Sequence, residues 1–197
     1  MLGVVILLLD VMGTVVREPF VEDMPRFFGM TLDELIEAKH PDLWVRFERG
    51  EVDGDEFLRG FFADGRDYDR EGFVRCIRAA YRFLPGMESL LRSIRVPTYA
   101  LSNYPRWSEW IDDSLSLHRY LDWRFVSWKT GVRKPDPEAY LGPIRELGES
   151  ADHFVFVDVR EVNVVAAREV GMHAIRFENA VQLGAQLDAL GLLKTKR

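Results

Sequence analysis

Residues 4–9 form an unbroken apolar run, Val-Val-Ile-Leu-Leu-Leu, that stops at Asp10. A run without alternation predicts a central parallel strand over residues 2–9, covered on both faces. Pro97 to Leu101, closed by Ser102-Asn103, and Phe154 to Val157, closed by Asp158, read the same way. Ala174 to Phe177 predicts the last strand, and Phe125 to Trp128 a short one. From Glu22 the period changes. Thr31 with Glu34, and Asp53 with Glu56, are capping boxes that open short helices, and Phe73, Ile77 and Tyr81 share one face of a helix over Asp69 to Tyr81. Further helices are predicted over Met87 to Ser93, Arg106 to Leu117, Glu161 to Val170 and residues 181–190. Asp136-Pro137 supplies a cap and a first-turn proline for another, which Pro143 should bend or restart.

Strands alternating with helices predict an α/β fold with a Rossmann-like parallel sheet. Residues 1–17 and 83–197 would form that core, and 18–82 a small all-helical insert. The polar residues Asp10, Ser102 and Asp158 fall at the carboxyl ends of strands, the edge where open sheets of this kind bind ligands.

Composition changes this picture little. With 197 residues, 47% of them hydrophobic, the chain can bury one sizeable core. A net charge of -6 argues against a general nucleic-acid binder. The apolar start is too short to span a bilayer and has no basic leader, so neither a membrane segment nor a secretory signal is expected. A lone cysteine, Cys76, rules out an intrachain disulfide and mildly favours a reducing compartment. The cytoplasm is the expected location, or a plastid after removal of a transit peptide. A monomer or weak homodimer is expected.

Asp10 is a candidate nucleophile or metal ligand, and Gly13-Thr14 can curl the following backbone toward an anion. Ser102 and Asn103 offer a hydroxyl and an amide to a phosphoryl oxygen. Lys134, ahead of Pro135-Asp136-Pro137, can neutralise an anion and orient a carboxylate. Asp10 and Asp158 at neighbouring strand ends would repel, and a hard cation such as magnesium would relieve them. The four histidines have no ligand spacing. Cys76 is expected to pack inside the insert, and Trp107, Trp110, Trp123 and Trp128, near Tyr104 and Tyr120, to form a buried or subunit-facing surface.

In chain order the segments DVMGT (10–14), LSN (101–103), KPDPEAY (134–140) and FVDVREVNVVAAREVG (156–171) resemble the four motifs of the haloacid dehalogenase-like superfamily, over essentially the whole chain. The insert resembles that superfamily's helical cap. A narrower resemblance, to plant-type chloroplast flavin mononucleotide (FMN) hydrolases, rests on residues 10–12, 15–20, 27–30, 39–41 and 65–67. The resemblance implies a magnesium-dependent phosphomonoester phosphatase acting through an aspartyl-phosphate on a small phosphorylated metabolite, with FMN the candidate. Asp10 would attack phosphorus while Ser102 and Lys134 hold the phosphoryl group and nucleophile. Thr14, Asn103 and Arg17 would contact substrate. Asp10, the Met12 backbone carbonyl and Asp158 would bind a weakly held magnesium, with Asn163 in support. Phe20, Phe27 and Trp44 are the cap aromatics able to face a flat ring.

Two departures bear on this. Met12 stands where the superfamily places a second acid, and a thioether cannot relay a proton. Val159 stands where the main magnesium-binding acid is expected, leaving Asp158 beside it. Three readings stay open: a phosphatase with altered metal and acid groups, a non-catalytic protein that binds a phosphorylated ligand or partner, and metal-independent chemistry like that of 2-haloacid dehalogenases.

Overall fold

The computed structural model describes residues 4–194. Leu2, at the start of the first expected strand, and Lys196 and Arg197, expected to be a frayed tail, lie outside them.

A five-stranded parallel sheet is built from β1 (Ile6–Leu9), β2 (Thr98–Ser102), β3 (Asp122–Val126), β4 (Phe154–Asp158) and β5 (His173–Arg176). The spatial order is β3-β2-β1-β4-β5, with every pairing parallel. The chain therefore runs outward from β1 in one direction through β2 and β3, then crosses back to add β4 and β5 on the other side. That reversal opens a crevice at the carboxyl end of β1.

The apolar run of β1 serves two layers, which is why it does not alternate. Leu7 and Leu9 join one buried cluster with Val155 and Val157, while Ile6 and Leu8 join another with Phe154, Phe156 and Tyr140. Each buried side chain contributes roughly 1.5–3 kcal/mol by leaving water, so the central strands anchor the rim above them.

Residues 18–82, between β1 and β2, carry five helices: α1 (Asp23–Phe28), α2 (Leu32–Ala38), α3 (Leu43–Glu48), α4 (Gly54–Arg59) and α5 (Arg70–Ala80). Thr31 and Glu34 form the reciprocal capping box, and Asp53 accepts from the Glu56 N–H. Phe28, Phe61, Phe62, Tyr68 and Phe73 pack ring against ring. Phe47 stacks on Phe57 at 4.6 Å, and both meet Trp107, which comes from outside the insert. Trp110, Trp123 and Trp128 pack partly buried against the same cluster. Cap and sheet thus share one apolar cluster. Gly50 shows how closely they approach: at φ 72° it lies where a Cβ would sit 2.6 Å from the Trp128 carbonyl oxygen.

The remaining helices are α6 (Met87–Ser93), α7 (Ser108–Leu115), α8 (Ser127–Thr130), α9 (Glu138–Leu147), α10 (Glu161–Glu169) and α11 (Ala180–Ala189). Two expectations change. The short strand begins earlier, at Asp122, and Trp128 belongs to α8. Its edge position explains this, because Asp122 and Arg124 stay exposed while only Phe125 and Val126 are buried. Of the two outcomes expected of Pro143, a second helix start does not occur, since it lies within a continuous α9. None of the helices among the described residues is long and apolar enough to cross a membrane.

Candidate active site

Asp10 follows β1 and its N–H reaches the Val157 carbonyl, which ties the strand end to β4. Gly13 (φ 76°) then turns the chain back, donating to the Val16 carbonyl at 2.7 Å. A left-handed position suits glycine because it lacks a Cβ. The turn brings Thr14 over Asp10, where its hydroxyl donates to Oδ2 at 3.1 Å. Ser102, ending β2, donates to Asp10 Oδ1 at 3.3 Å.

Lys134 lies between the two aspartates, 2.9 Å from Asp10 Oδ1 and 2.6 Å from Asp158 Oδ2, and is only 3% exposed. Asn103 holds this lysine by its backbone. Its amide donates to the Lys134 carbonyl and its oxygen accepts from the Lys134 N–H, both at 2.8 Å. Burial pushes the Lys134 ammonium down, but Asp10 and Asp158 outweigh it and hold its pKa above the ordinary lysine value. Burial holds the Asp10 carboxyl above its usual range, Lys134 pulling against that and Asp158 adding to it.

The ammonium of Lys134 therefore relieves the repulsion for which a cation was expected. Asp158 also departs from its expected place among the metal ligands. It is fully buried, Oδ1 accepts from the Arg160 N–H at 2.7 Å, and Oδ2 accepts from both Lys134 and Asn163. With both oxygens committed, Asp158 positions the lysine. Asn163 donates to Asp158 Oδ2 at 2.8 Å, which leaves its own Oδ1 without a partner among the described residues. The Arg17 expectation is corrected too. Its guanidinium pairs with Glu22 and Asp23 and does not line the cavity.

That cavity, of about 420 Å³, lies above the rim. Asp10, Met12, Asn103, Lys134 and Asn163 form its floor, with Phe20, Trp44 and Tyr104 as aromatic walls. Of the three cap aromatics singled out in the sequence, Phe20 and Trp44 reach it, while Phe27 packs on Phe28 and Phe73 inside the cap. Thr14 and Ser102 do not line this cavity; both donate to Asp10, so the expected contact of Thr14 with substrate is corrected to one with the nucleophile.

Several lining residues were given no role from the sequence. Glu48 in α3 accepts from Arg133 at 2.7 Å and from the Trp44 indole at 2.6 Å, latching cap to core just before Lys134. Glu18 lies where the chain leaves the core for the cap. Its Oε1 accepts the Phe20 N–H at 3.0 Å. Burial pushes the Glu18 carboxyl up to about 7; the Phe20 N–H and Arg17 oppose this, while Asp10 and Glu48 add to it. Glu18 falls within residues 15–20, which carry the narrower resemblance, and that together with its nearness to the Val15–Val16 run leaving the core is the signal that could have flagged it. The histidines serve elsewhere: His40 accepts from the Asp42 and Leu43 N–H groups, and His118 and His153 pair with Asp112 and Glu149.

No protein-family model matches the chain. It is 46% identical over 190 residues to flavin mononucleotide hydrolase 1, chloroplastic, of Arabidopsis thaliana, covering 95% of this chain and 78% of that protein. The chain belongs to the haloacid dehalogenase-like superfamily. It is also 27% identical over 176 residues to the sesquiterpene phosphatase astK of Aspergillus oryzae, covering 82% of this chain and 85% of that one. An aspartate-to-alanine variant of a superfamily enzyme from Bacteroides thetaiotaomicron, crystallised with magnesium and inorganic phosphate, has the same fold. It matches at TM-score 0.73 and 17% identity, over 90% of this chain and 95% of that one.

Magnesium can be tested against the donors present. Among the described residues no three His, Cys, Asp or Glu side chains are grouped to hold a metal ion. Magnesium, however, keeps several waters and needs only one or two carboxylates besides substrate oxygens. Asp10 Oδ2 has Thr14 as its one partner, and the Met12 carbonyl accepts no hydrogen bond from the described residues. Those oxygens, with Asn163 Oδ1 nearby on the cavity floor, fit a weakly held magnesium ion.

Proposed function

We propose that the chain is a phosphomonoester hydrolase that forms an aspartyl-phosphate on Asp10, with residues 18–82 acting as the cap that selects the substrate. The observation that carries this reading is Lys134, held between Asp10 and Asp158 at the floor of a cavity walled by Phe20, Trp44 and Tyr104.

Lys134 and Ser102 at Oδ1 and Thr14 at Oδ2 fix the Asp10 carboxylate, so that one oxygen can attack phosphorus while the other meets the metal. Burial strips water from this carboxylate, and the Lys134 ammonium offsets charge on the phosphoryl oxygens. Asp10, the Met12 carbonyl and Asn163 would hold magnesium, which when bound supplies Lewis-acid neutralisation of those oxygens. Asn103 keeps Lys134 in place and lines the phosphate end. Phe20, Trp44 and Tyr104 suit a flat aromatic body, and the identity to the Arabidopsis FMN hydrolase supports FMN as the substrate. The enzyme would act in the cytoplasm, or in a plastid once a transit peptide is removed.

Met12 favours a second reading. It lines the cavity as a thioether where a proton donor is expected, so a protein that binds a phosphorylated ligand without turning it over is the alternative. Phosphate release from FMN and other small phosphomonoesters with magnesium, run beside halide release from 2-haloacids, separates the readings. We expect phosphate release that Asp10→Asn abolishes without loss of folded protein. Saturable FMN binding with no release would establish the second reading instead.

A further inference from the structure

Met12 leaves the expected position of the proton-relaying group without one, yet the cavity holds another carboxyl that the motifs do not assign. Glu18 lines the same cavity as Asp10 and Met12. The turn through Gly13 and the Leu84 N–H to Val15 carbonyl bond tie down the chain that leads into the cap, and Glu18, just beyond it, lines the cavity with the nucleophile. Its Oε1 is fixed by the Phe20 N–H, and Oε2 has no hydrogen-bond partner among the described residues. The other acids at the site, the nucleophile apart, are committed: Asp158 to Lys134, Asn163 and the Arg160 N–H, and Glu48 to Arg133 and Trp44.

Resting on the phosphatase reading above, we propose that Glu18 is the general acid and base of this site, donating a proton to the leaving oxygen and then accepting one from the hydrolytic water. In the first half-reaction a carboxylate oxygen of Asp10 bonds to phosphorus as the ester P–O bond breaks. The leaving alkoxide takes the Glu18 proton and departs as an alcohol. In the second, water attacks phosphorus, its proton passes to the Glu18 carboxylate, and the P–O bond to Asp10 breaks. Phosphate leaves, Asp10 is a free carboxylate again, and Glu18 is reprotonated.

The surroundings suit both roles. The charged or titratable groups around Glu18 are Asp10, Glu48 and Arg17, with Tyr81 and Tyr104 beside it. Lys39, Arg133, Lys134 and Arg160 line the same cavity. A carboxyl at about 7 has both forms populated at neutral pH, which a two-way relay requires.

The test uses the full chain with magnesium, wild type against Glu18→Gln and Glu18→Asp, on alkyl and 4-nitrophenyl phosphates. An alkyl alkoxide needs a proton to leave and nitrophenolate does not. Glu18→Gln should lower kcat/KM for the alkyl ester about 10²–10⁴-fold. For the aryl ester kcat/KM should change little, but kcat should fall and a stoichiometric burst of nitrophenol should appear as the aspartyl-phosphate accumulates. Wild-type kcat/KM for the alkyl ester should decline above about pH 7, and Glu18→Gln should lose that limb. Glu18→Asp, which keeps the acid, should restore part of the alkyl activity. Equal loss on both esters, no burst, or an unchanged pH profile would overturn the assignment while leaving the phosphatase reading standing. If wild type releases no phosphate from any ester, that reading fails and the role of Glu18 falls with it.

Discussion

Keeping Glu18 inside the site should cost the protein stability, and the size of that cost follows from its environment. In the unfolded chain its carboxyl titrates near 4.5; folded, at about 7. A raised carboxyl pKa means that stability is fully present below 4.5 and is lost as pH rises through 7, because the folded state resists ionisation. At 1.36 kcal/mol per pK unit the whole penalty is about 3 kcal/mol, reached above the folded pKa. Glu18→Gln removes the charge and keeps an oxygen to accept the Phe20 N–H. Relative to wild type it should gain little at pH 5 and about 2–2.5 kcal/mol more by pH 8.5. For a chain of this size each kcal/mol moves Tm roughly 2–4 °C, so the gap in Tm should widen by roughly 5–10 °C across that range. Thermal melts of both proteins in parallel from pH 5 to 8.5 make the measurement. A constant offset at every pH, or a wild type that gains on the variant as pH rises, would refute the reasoning.

Three further outcomes are expected. Lys134→Ala leaves two buried carboxylates facing each other and should cost about 3–5 kcal/mol, a fall in Tm of roughly 6–20 °C, and should weaken the stabilisation by inorganic phosphate; a Tm within 2 °C of wild type, taking about that as the noise of such a melt, would show the pair is not coupled as the distances say. Gly50→Ala forces a Cβ onto the Trp128 carbonyl at a left-handed φ and should cost about 1–3 kcal/mol by chemical denaturation, with no change meaning that cap and core do not approach as they do here. Val159→Asp places a carboxylate beside the Gly13 turn, where Val159 Cγ1 is 3.4 Å from a Cβ built on that glycine, and should lower the magnesium concentration that half-saturates thermal stabilisation. An unchanged half-point would remove the Met12–Gly13 turn from the metal site.

The rim of this site was legible because apolar strands announce where they stop. Asp10, Ser102 and Asp158 each close a strand whose other residues are buried, Tyr99 of β2 excepted, and parallel topology sends those ends to one edge. What each group faces was not legible. The turn from Asp158 to Arg160 decides by one peptide unit whether a carboxylate enters the cavity or stays behind a lysine, and nothing in the residue types records that turn. Glu48 and Arg133 are 85 positions apart, and their pairing depends on how α3 lies on the core. Glu18, between Arg17 and Pro19, reads as a solvated linker residue until the cap folds back. At the sheet edge, β3 begins before the strand that the apolar pattern predicts, because its first residues are not buried and carry no apolar signal.

The charges in the cavity tie these points together. Asp10, Glu18 and Glu48 line it with Lys39, Arg133, Lys134 and Arg160, while Asp158 lies behind. Arg133 is matched by Glu48, and Lys134 by Asp10 and Asp158 together, so the latter trio carries one net negative charge. Lys39 and Arg160 are left to face an arriving anion. With an acid at Met12 and another at Val159, beside the Gly13 turn, the site would carry two more negative charges and would depend on a divalent cation to admit a phosphate. With a thioether and an alkyl group there, repulsion falls and so does the pull on a metal, and Lys134 carries more of the burden of neutralising the phosphoryl group. The proton relay then has to come from outside the motif. A carboxyl entering from the first turn of the cap, held near neutral pH by its burial and its acidic neighbours, meets that need without adding a fixed charge to the floor.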